Sequence, residues 1–308
     1  MSARSAVVHN GVAIDDTFAE AFPMKGTRLL ITAHTVEWTR HAALAATGFA
    51  TSVIGCGCEA GIESELAPEQ TPDGRPGIAV LLFAMSGKEL AKQIERRVGQ
   101  CVLTCPTTAV FAGIADGEAV ALGKNLRFFG DGWQISKVID GVRYWRVPVM
   151  DGEFVAQETT ALVKGVGGGN LLLLARDTDS ALAAASAAVA AMKRLPNVIM
   201  PFPGGVVRSG SKVGSKYASL SASTNDAFCP GLYGLVDSEL TAETCCVLEI
   251  VIDGLSEADV SAAMRAGLQA GIELGAARGL LRISAGNYGG KLGPYHFHLH
   301  QLLRGTAT

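Results

Sequence analysis

Residues 245–284 read CCVLEIVIDGLSEADVSAAMRAGLQAGIELGAARGLLRIS, and they carry the pattern that decides the fold class. Cys245–Ile252 is an apolar run broken once, at Glu249, and reads as a strand. Ser256 opens a helix, with Asp259 three residues on as an Asp-containing form of the capping box. That helix ends near Gly275 or Arg278, and Leu280–Ser284 closes the unit as a further strand. Upstream, Asn170–Ala175 (NLLLLA) reads as a strand, Asp179 caps a helix over Ser180–Leu195, and Val198–Met200 starts another strand. The order is β-α-β-β-α-β.

The first half repeats that order. Arg28–Thr32 is a strand, Val36–Ala46 a helix ended by Gly48, and Thr51–Ile54 a short second strand. A turn-rich stretch closed by Thr71–Gly77 (TPDGRPG) leads to a third strand, Ile78–Met85. Ser86 and Glu89 form a capping box for a helix to about Val98, and Cys101–Thr104 closes the unit. Leu126–Gly130 and Val142–Val149 read as extra strands around the turn Asp140-Gly141. The expectation is an α+β fold of duplicated ferredoxin-like lobes with additional strands. The lobes fall at 1–150 and 151–308, with a boundary blurred between about 145 and 165.

A length of 308 residues, 48% hydrophobic and 18% charged, suits two lobes with ample core. A net charge of -3 argues against a nucleic-acid binder. No signal-peptide apolar segment is seen at the N-terminus, and Ala181–Met192 is too short to span a bilayer. A cytoplasmic protein with no membrane attachment is expected. The seven cysteines, Cys56, Cys58, Cys101, Cys105, Cys229, Cys245 and Cys246, form no CxxC pair and are expected to be buried reduced thiols.

Glycine is abundant, at 37 residues, yet the phosphate-loop patterns fail. No GxxxxGK[ST] exists, and Gly55–Ala60 (GCGCEA) fits GxGxxA without a helix to follow it. No GxSxG elbow exists. His296, His298 and His300 alternate, so on a strand they would share a face; they read either as a metal-binding trio for zinc-water hydrolysis or as hydrogen-bonded structural histidines. Three glycine-rich loops, Lys164–Asn170, Pro203–Lys216 and Ser284–Gly293, each hold Lys or Arg. Converging backbone N–H groups beside a cation suit carboxylate or phosphate; solvated turns are the plainer reading. The middle loop, with Arg208, Lys212 and Lys216, favours an anionic ligand. Glu249 would share its face with Val247 and Val251. A desolvated carboxylate there would have a raised pKa suited to proton transfer; the plainer reading is an exposed sheet face.

Segments spread in one order along the chain carry a family resemblance. They include Asn10–Val12, Asp16–Phe22 (DTFAEAF), Ala46–Phe49, Thr71–Gly77, Phe128–Gly132 (FFGDG), Pro201–Gly205 (PFPGG), Ser211–Lys216 (SKVGSK), Ala222–Asp226 (ASTND), Ser284–Gly293 and His298–His300. On these the chain resembles the formylmethanofuran:tetrahydromethanopterin formyltransferases. The modest acidity and alanine-rich helices resemble the bacterial branch, in which the enzyme is one component of a formyltransferase/hydrolase complex of methylotrophs.

The resemblance implies the duplicated ferredoxin-like architecture and a homo-oligomer, dimer or tetramer, with its cleft at a subunit interface. It implies further subunits as partners, no metal and no tightly bound cofactor. Tetrahydromethanopterin and a methanofuran-type carrier, both anionic, would be substrates. It carries the role of catalytic glutamate to Glu249. Candidate substrate-binding residues are Arg208, Ser211, Lys212, Gly214, Ser215, Lys216, Asn225, Asp226, Asn287 and Lys291. A metal-dependent hydrolase built on the histidine strand and a non-catalytic scaffold subunit are the competing expectations.

Overall fold

The computed structural model describes residues 6–305. It divides into two compact units: Met24–Gly165 forms one, and the chain up to Pro23 joins the chain from Val166 to form the other. Both are mixed α/β units built on sheet. Two long strands, Phe18–Thr32 and Thr159–Ala175, each run from one unit into the other.

In the 24–165 unit the neighbouring strands are Glu59–Leu66, Gly77–Ala84, Phe18–Thr32 and Ala109–Ala112, each antiparallel to the next. In chain order that is 2-3-1-4. Helices Val36–Thr47 and Gly87–Arg97 connect them. Thr35 and Ser86 cap these helices by accepting from Trp38 and Glu89 backbone N–H. The sheet continues through Gly152–Gln157, parallel to Ala109–Ala112, into the hairpin partners Val142–Val149 and Ile135–Ile139. Asp140 and Gly141, at φ 49° and 80°, make the tight turn between them, as their sequence predicts.

Three expected strands here are helical. Thr51–Ile54 fails because Ser52 caps a one-turn helix, Val53–Cys56, which Gly57 ends at φ 78°. The second strand is instead Glu59–Leu66, whose polar, glycine-containing sequence suits the end of the strand order, paired on one side. Cys101–Thr104 overlaps the end of Val98–Val102, a single π-helical turn whose two buried valines sit on one helical face, and the closing strand comes later, at Ala109–Ala112. Leu126–Gly130 is helical too, with the Arg127 guanidinium over the Phe128 and Trp145 rings.

The other unit repeats the 2-3-1-4 order. Val198–Ile199, Cys246–Gly254, Thr159–Ala175 and Leu280–Ser284 are successive antiparallel neighbours. Val12–Asp15 then adds in parallel and Ala6–His9 pairs with it. The N-terminal strands thus pack with the C-terminal half because their pairing partner, Leu280–Ser284, lies there. Helix Thr178–Met192 is capped by Asp177, which accepts from Ser180 N–H at 2.7 Å; Asp179 sits in the first turn instead. Helix Glu257–Leu274 starts at Ser256, as expected, with Asp259 N–H donating to the Ser256 hydroxyl at 3.1 Å.

These two helices cover one face of the sheet, where Leu171, Leu173, Leu248, Ile250 and Ile252 are buried against Ala184, Ala188, Met264 and Leu268. The helices approach so closely that a Cβ on Gly267 would collide with Met192. Lys164–Asn170 is not a loop. It lies inside Thr159–Ala175, where the register shifts between Val166 and Gly169 and Gly168 adopts φ 92°, as in a β-bulge. The seven cysteines are free thiols, but Cys58 alone is buried; Cys245 is exposed and the other five are half-buried. None of the described helices is long and apolar enough to cross a membrane.

Candidate active site

Side chains alternate along Cys246–Gly254. Leu248, Ile250 and Ile252 enter the helix-covered core, while Val247, Glu249 and Val251 face the other way and are half-buried. Glu249 is held on both flanks. Its register partner is Leu172, and on the other side it exchanges backbone hydrogen bonds with Val207, at 2.7 and 2.9 Å.

The long polar excursion between Ile199 and Cys246 folds back over this second face. Leu240, brought by it, is buried against Leu172 and Leu174, with Phe228 and Val247 packed around them. The Glu249 face is therefore neither open to water nor part of the main core. A cavity of about 190 Å³ remains, lined among others by Glu249, Asn170, Lys212, Asn225, Asn287 and Tyr288.

The electrostatics follow from this covering. Although the Glu249 residue as a whole is half-buried, its carboxyl is stripped of most of its water, which pushes its pKa up to about 7. No salt-bridging cation pairs with it among the described residues. The cavity's lysine is already committed: Lys212 Nζ lies 2.6 Å from Asp226 Oδ2, and holds that carboxyl below its usual range. Near neutral pH Glu249 is thus shared between acid and base forms, the condition under which one group can both take and return a proton.

The structure brings Glu249, Ser211, Lys212, Asn225 and Asn287 to one cavity, with Asp226 behind Lys212. Arg208, Gly214, Ser215, Lys216 and Lys291 do not line it. Arg208, Lys216 and Lys291 are exposed. Ser215 accepts from Tyr217 N–H, and Gly214 donates to the Ser221 carbonyl, so both shape the Lys212–Ser223 ribbon.

Sequence inspection missed Asn170, Tyr288 and Glu20. Asn170 is buried; its amide accepts from Gly286 N–H at 2.6 Å and donates to the Gly168 and Gly286 carbonyls. Glu20 is fully buried and accepts four backbone N–H groups, from Tyr288, Gly290, Leu292 and Gly293, at 2.6–2.9 Å. Burial would raise its pKa, but the four donors outweigh that and hold it below the usual range. Glu20 thereby ties down the loop whose members Gly286, Asn287 and Tyr288 line the cavity. Its one sequence signal is its place in DTFAEAF.

The histidine trio does not assemble. The strand Tyr295–His298 ends before His300, which lies in the helix Leu299–Arg304. His300 Nε2 lies 2.9 Å from the Ile14 carbonyl, and its Nδ1 3.5 Å from Asp16. His296 bonds the Gly293 carbonyl, and both His296 and His298 stack near Phe18. Among the described residues no group of three His, Cys, Asp or Glu side chains is arranged to hold a metal ion. His296 and His300 make the hydrogen bonds that the structural reading expects, and the three side chains do not come together as a metal-binding trio.

The comparisons with known proteins agree along the chain. Residues 7–149 match the family model of formylmethanofuran-tetrahydromethanopterin formyltransferase, and residues 152–302 match that of its proximal lobe. A formylmethanofuran–tetrahydromethanopterin formyltransferase of Methylococcus capsulatus (strain Bath) is 67% identical, over 96% of this chain and all of the relative. A component of the formyltransferase/hydrolase complex of Methylorubrum extorquens is 52% identical, over 97% of this chain and 98% of the relative. The crystal structure of that complex with methylofuran matches at a TM-score of 0.95, over 97% of this chain and 99% of that one. The enzyme of Methanosarcina barkeri matches at 0.91 with 47% identity, over 96% and 100% of the two chains. The agreement of sequence, fold and chain coverage means that this chain belongs to the formylmethanofuran-tetrahydromethanopterin formyltransferase family.

Proposed function

We propose that this chain moves a formyl group between the amine of a methanofuran-type carrier and N5 of tetrahydromethanopterin, in one-carbon (formaldehyde oxidation) metabolism, with Glu249 as the proton relay. The observation that carries the reading is the solitary Glu249 carboxyl, raised to about 7, at a cavity in a chain of this family.

The chemistry needs such a group. The N5 lone pair attacks the formyl carbon, the carbonyl electrons move to oxygen, and a tetrahedral intermediate forms. Glu249 takes the proton from N5. As the bond from carbon to the furan-side nitrogen breaks, Glu249 returns that proton to the leaving amine. Proton count and charge balance with Glu249 as the relay; no metal or tightly bound cofactor takes part in this reading, and the two carriers are substrates. Ser211, Lys212, Asn225 and Asn287 bind them at the cavity, and Arg208, Lys216 and Lys291 receive their anionic tails at the periphery. Gly214, Ser215 and Asp226 hold the Lys212 ribbon in shape.

The fold is a duplicated ferredoxin-like one with additional strands. The recurring 2-3-1-4 antiparallel order and the two helices in each unit support this. In chain order its lobes are 1–150 and 151–308. The protein acts in the cytoplasm as a homo-oligomer, dimer or tetramer. It associates with further subunits of the kind named for the Methylorubrum extorquens complex, and that complex's methylofuran makes a furan-bearing amine the carrier class.

The test is a transfer assay with the purified protein and both carriers. Turnover without other subunits is expected, which excludes a scaffold role. Glu249→Gln should lose most transfer while keeping fold and assembly; near-normal turnover would remove the relay.

A further inference from the structure

The oxyanion of the tetrahedral intermediate needs a hydrogen-bond donor beside Glu249, and the cavity offers few. Its polar lining groups can be counted by what they already bond. Both Asn170 amide functions are used within the protein, on Gly168 and Gly286. Lys212 is paired with Asp226. The Asn287 amide donates to the Thr17 hydroxyl and the Phe18 carbonyl. Ser211 is exposed. Among the described lining residues that are not exposed, Tyr288 and Asn225 have side-chain donors with no protein partner. Of these, Tyr288 is the one carried on the loop anchored by Glu20 and braced by an aromatic neighbour.

Resting on the formyl-transfer reading, we infer that the Tyr288 phenol hydroxyl is a further catalytic residue, donating a hydrogen bond to the oxygen of the formyl group as it becomes an oxyanion. The backbone supports this placement. Tyr288 N–H donates to Glu20 at 2.7 Å, and three more N–H groups of the same loop fix the turn around that carboxylate. The ring is braced by Phe22, with centroids 6.0 Å apart. The loop and ring that carry the donor are thus set before substrate arrives, which is the condition for such a bond to stabilise the transition state.

The phenol also stays protonated. Burial raises its pKa first, and the negative charges of Glu249 and Glu20 raise it further. The remaining charged groups at the cavity are Glu239 and Lys212 with its partner Asp226. During the reaction Tyr288 keeps its proton: N5 bonds to the formyl carbon, the oxyanion accepts the phenol hydrogen bond, Glu249 relays the N5 proton, and the furan-side amine leaves.

The experiment compares Tyr288→Phe with Glu249→Gln and the parent protein, using both carriers and measuring kcat, KM and pH–rate profiles. For Tyr288→Phe a fall in kcat of about 100-fold is expected, from loss of one oxyanion donor, with both KM values within about threefold, since the bond forms fully only in the transition state. A kcat within threefold of the parent, while Glu249→Gln is inactive, overturns the Tyr288 role and leaves the transfer reading standing. Full activity in both variants, or no transfer by the parent, overturns both. A ring-fluorinated tyrosine at position 288, with a more acidic phenol, is the check that does not disturb packing. It should move the alkaline loss of activity to lower pH, and an unmoved alkaline limb overturns the proposal.

Discussion

Glu20 and Glu249 belong to the same compact unit, and the loop 284–293 binds the first and lines the cavity of the second, yet the chain treats the two carboxylates in opposite ways. Glu20 is surrounded by four backbone donors and is held ionised below the usual range. Glu249 has lost its water and, among the described residues, received no side-chain donor or cation in exchange, and its pKa rises to about 7. Glu20 is the more completely buried residue and yet has the lower pKa, so burial alone does not set the direction; what the burial supplies does. A carboxylate given several N–H bonds becomes a fixed structural anion, whereas one given none becomes a proton carrier near neutral pH. One loop uses the first to shape the setting of the second.

This contrast can be broken most sharply at Glu249. Glu249→Gln keeps the shape and removes the exchangeable proton, so kcat should fall by about 10²–10⁴-fold, measured in the two-carrier assay with folding verified by circular dichroism. At Glu20 the expected loss is of stability. Glu20→Gln replaces two anionic acceptors with one neutral acceptor and an NH₂ group that faces N–H donors. With each unsatisfied buried donor costing about 1–3 kcal/mol, the variant should lose roughly 2–4 kcal/mol in denaturant unfolding. Its turnover should fall as the 284–293 loop loosens.

The two groups should also leave opposite marks on stability against pH. Glu249 is raised from 4.5 to about 7 in the folded state. Between those values the folded protein binds more protons than the unfolded chain, so this contribution is full below pH 4.5 and fades as pH rises toward 7. Glu249→Gln should abolish that decline and be the more stable protein at pH 8, by at most about 3 kcal/mol. Glu20 is lowered, so its contribution is present above pH 4.5 and is lost as pH falls through its folded value. A parent stability curve that does not fall between pH 4.5 and 7 relative to Glu249→Gln would contradict the desolvation of Glu249. The smallest effect is expected at Lys212→Ala, where loss of one charge-assisted contact should raise the KM of an anionic carrier by about tenfold and leave kcat nearly unchanged.

Much of the framework was legible in the chain because it is encoded locally. Ser86 and Ser256 mark helix starts through bonds three residues away, and the alternation of Leu248, Ile250 and Ile252 against Val247, Glu249 and Val251 sets two faces with no outside reference. The strands that proved helical were short: an apolar residue such as Val102 beside Leu103 fits either period over four residues, and only caps and neighbours select one. Glu59–Leu66 is hidden by its polar residues, which are tolerated where a strand is paired on one side.

The amino-acid order established that a carboxylate interrupts an apolar strand, that lysine and glycine crowd the connecting segments, and that two similar halves follow one another. It left open whether the Glu249 face meets water or protein. That choice was made by the excursion between Ile199 and Cys246, whose Leu240 and Phe228 settle on Leu172 and Leu174 and exclude solvent. The Glu20 cradle lay equally out of view, because its donors are some 270 residues away along the chain. A pKa depends on everything within a few ångströms of the group, and contacts of that range are set by packing between distant segments, which local patterns do not record.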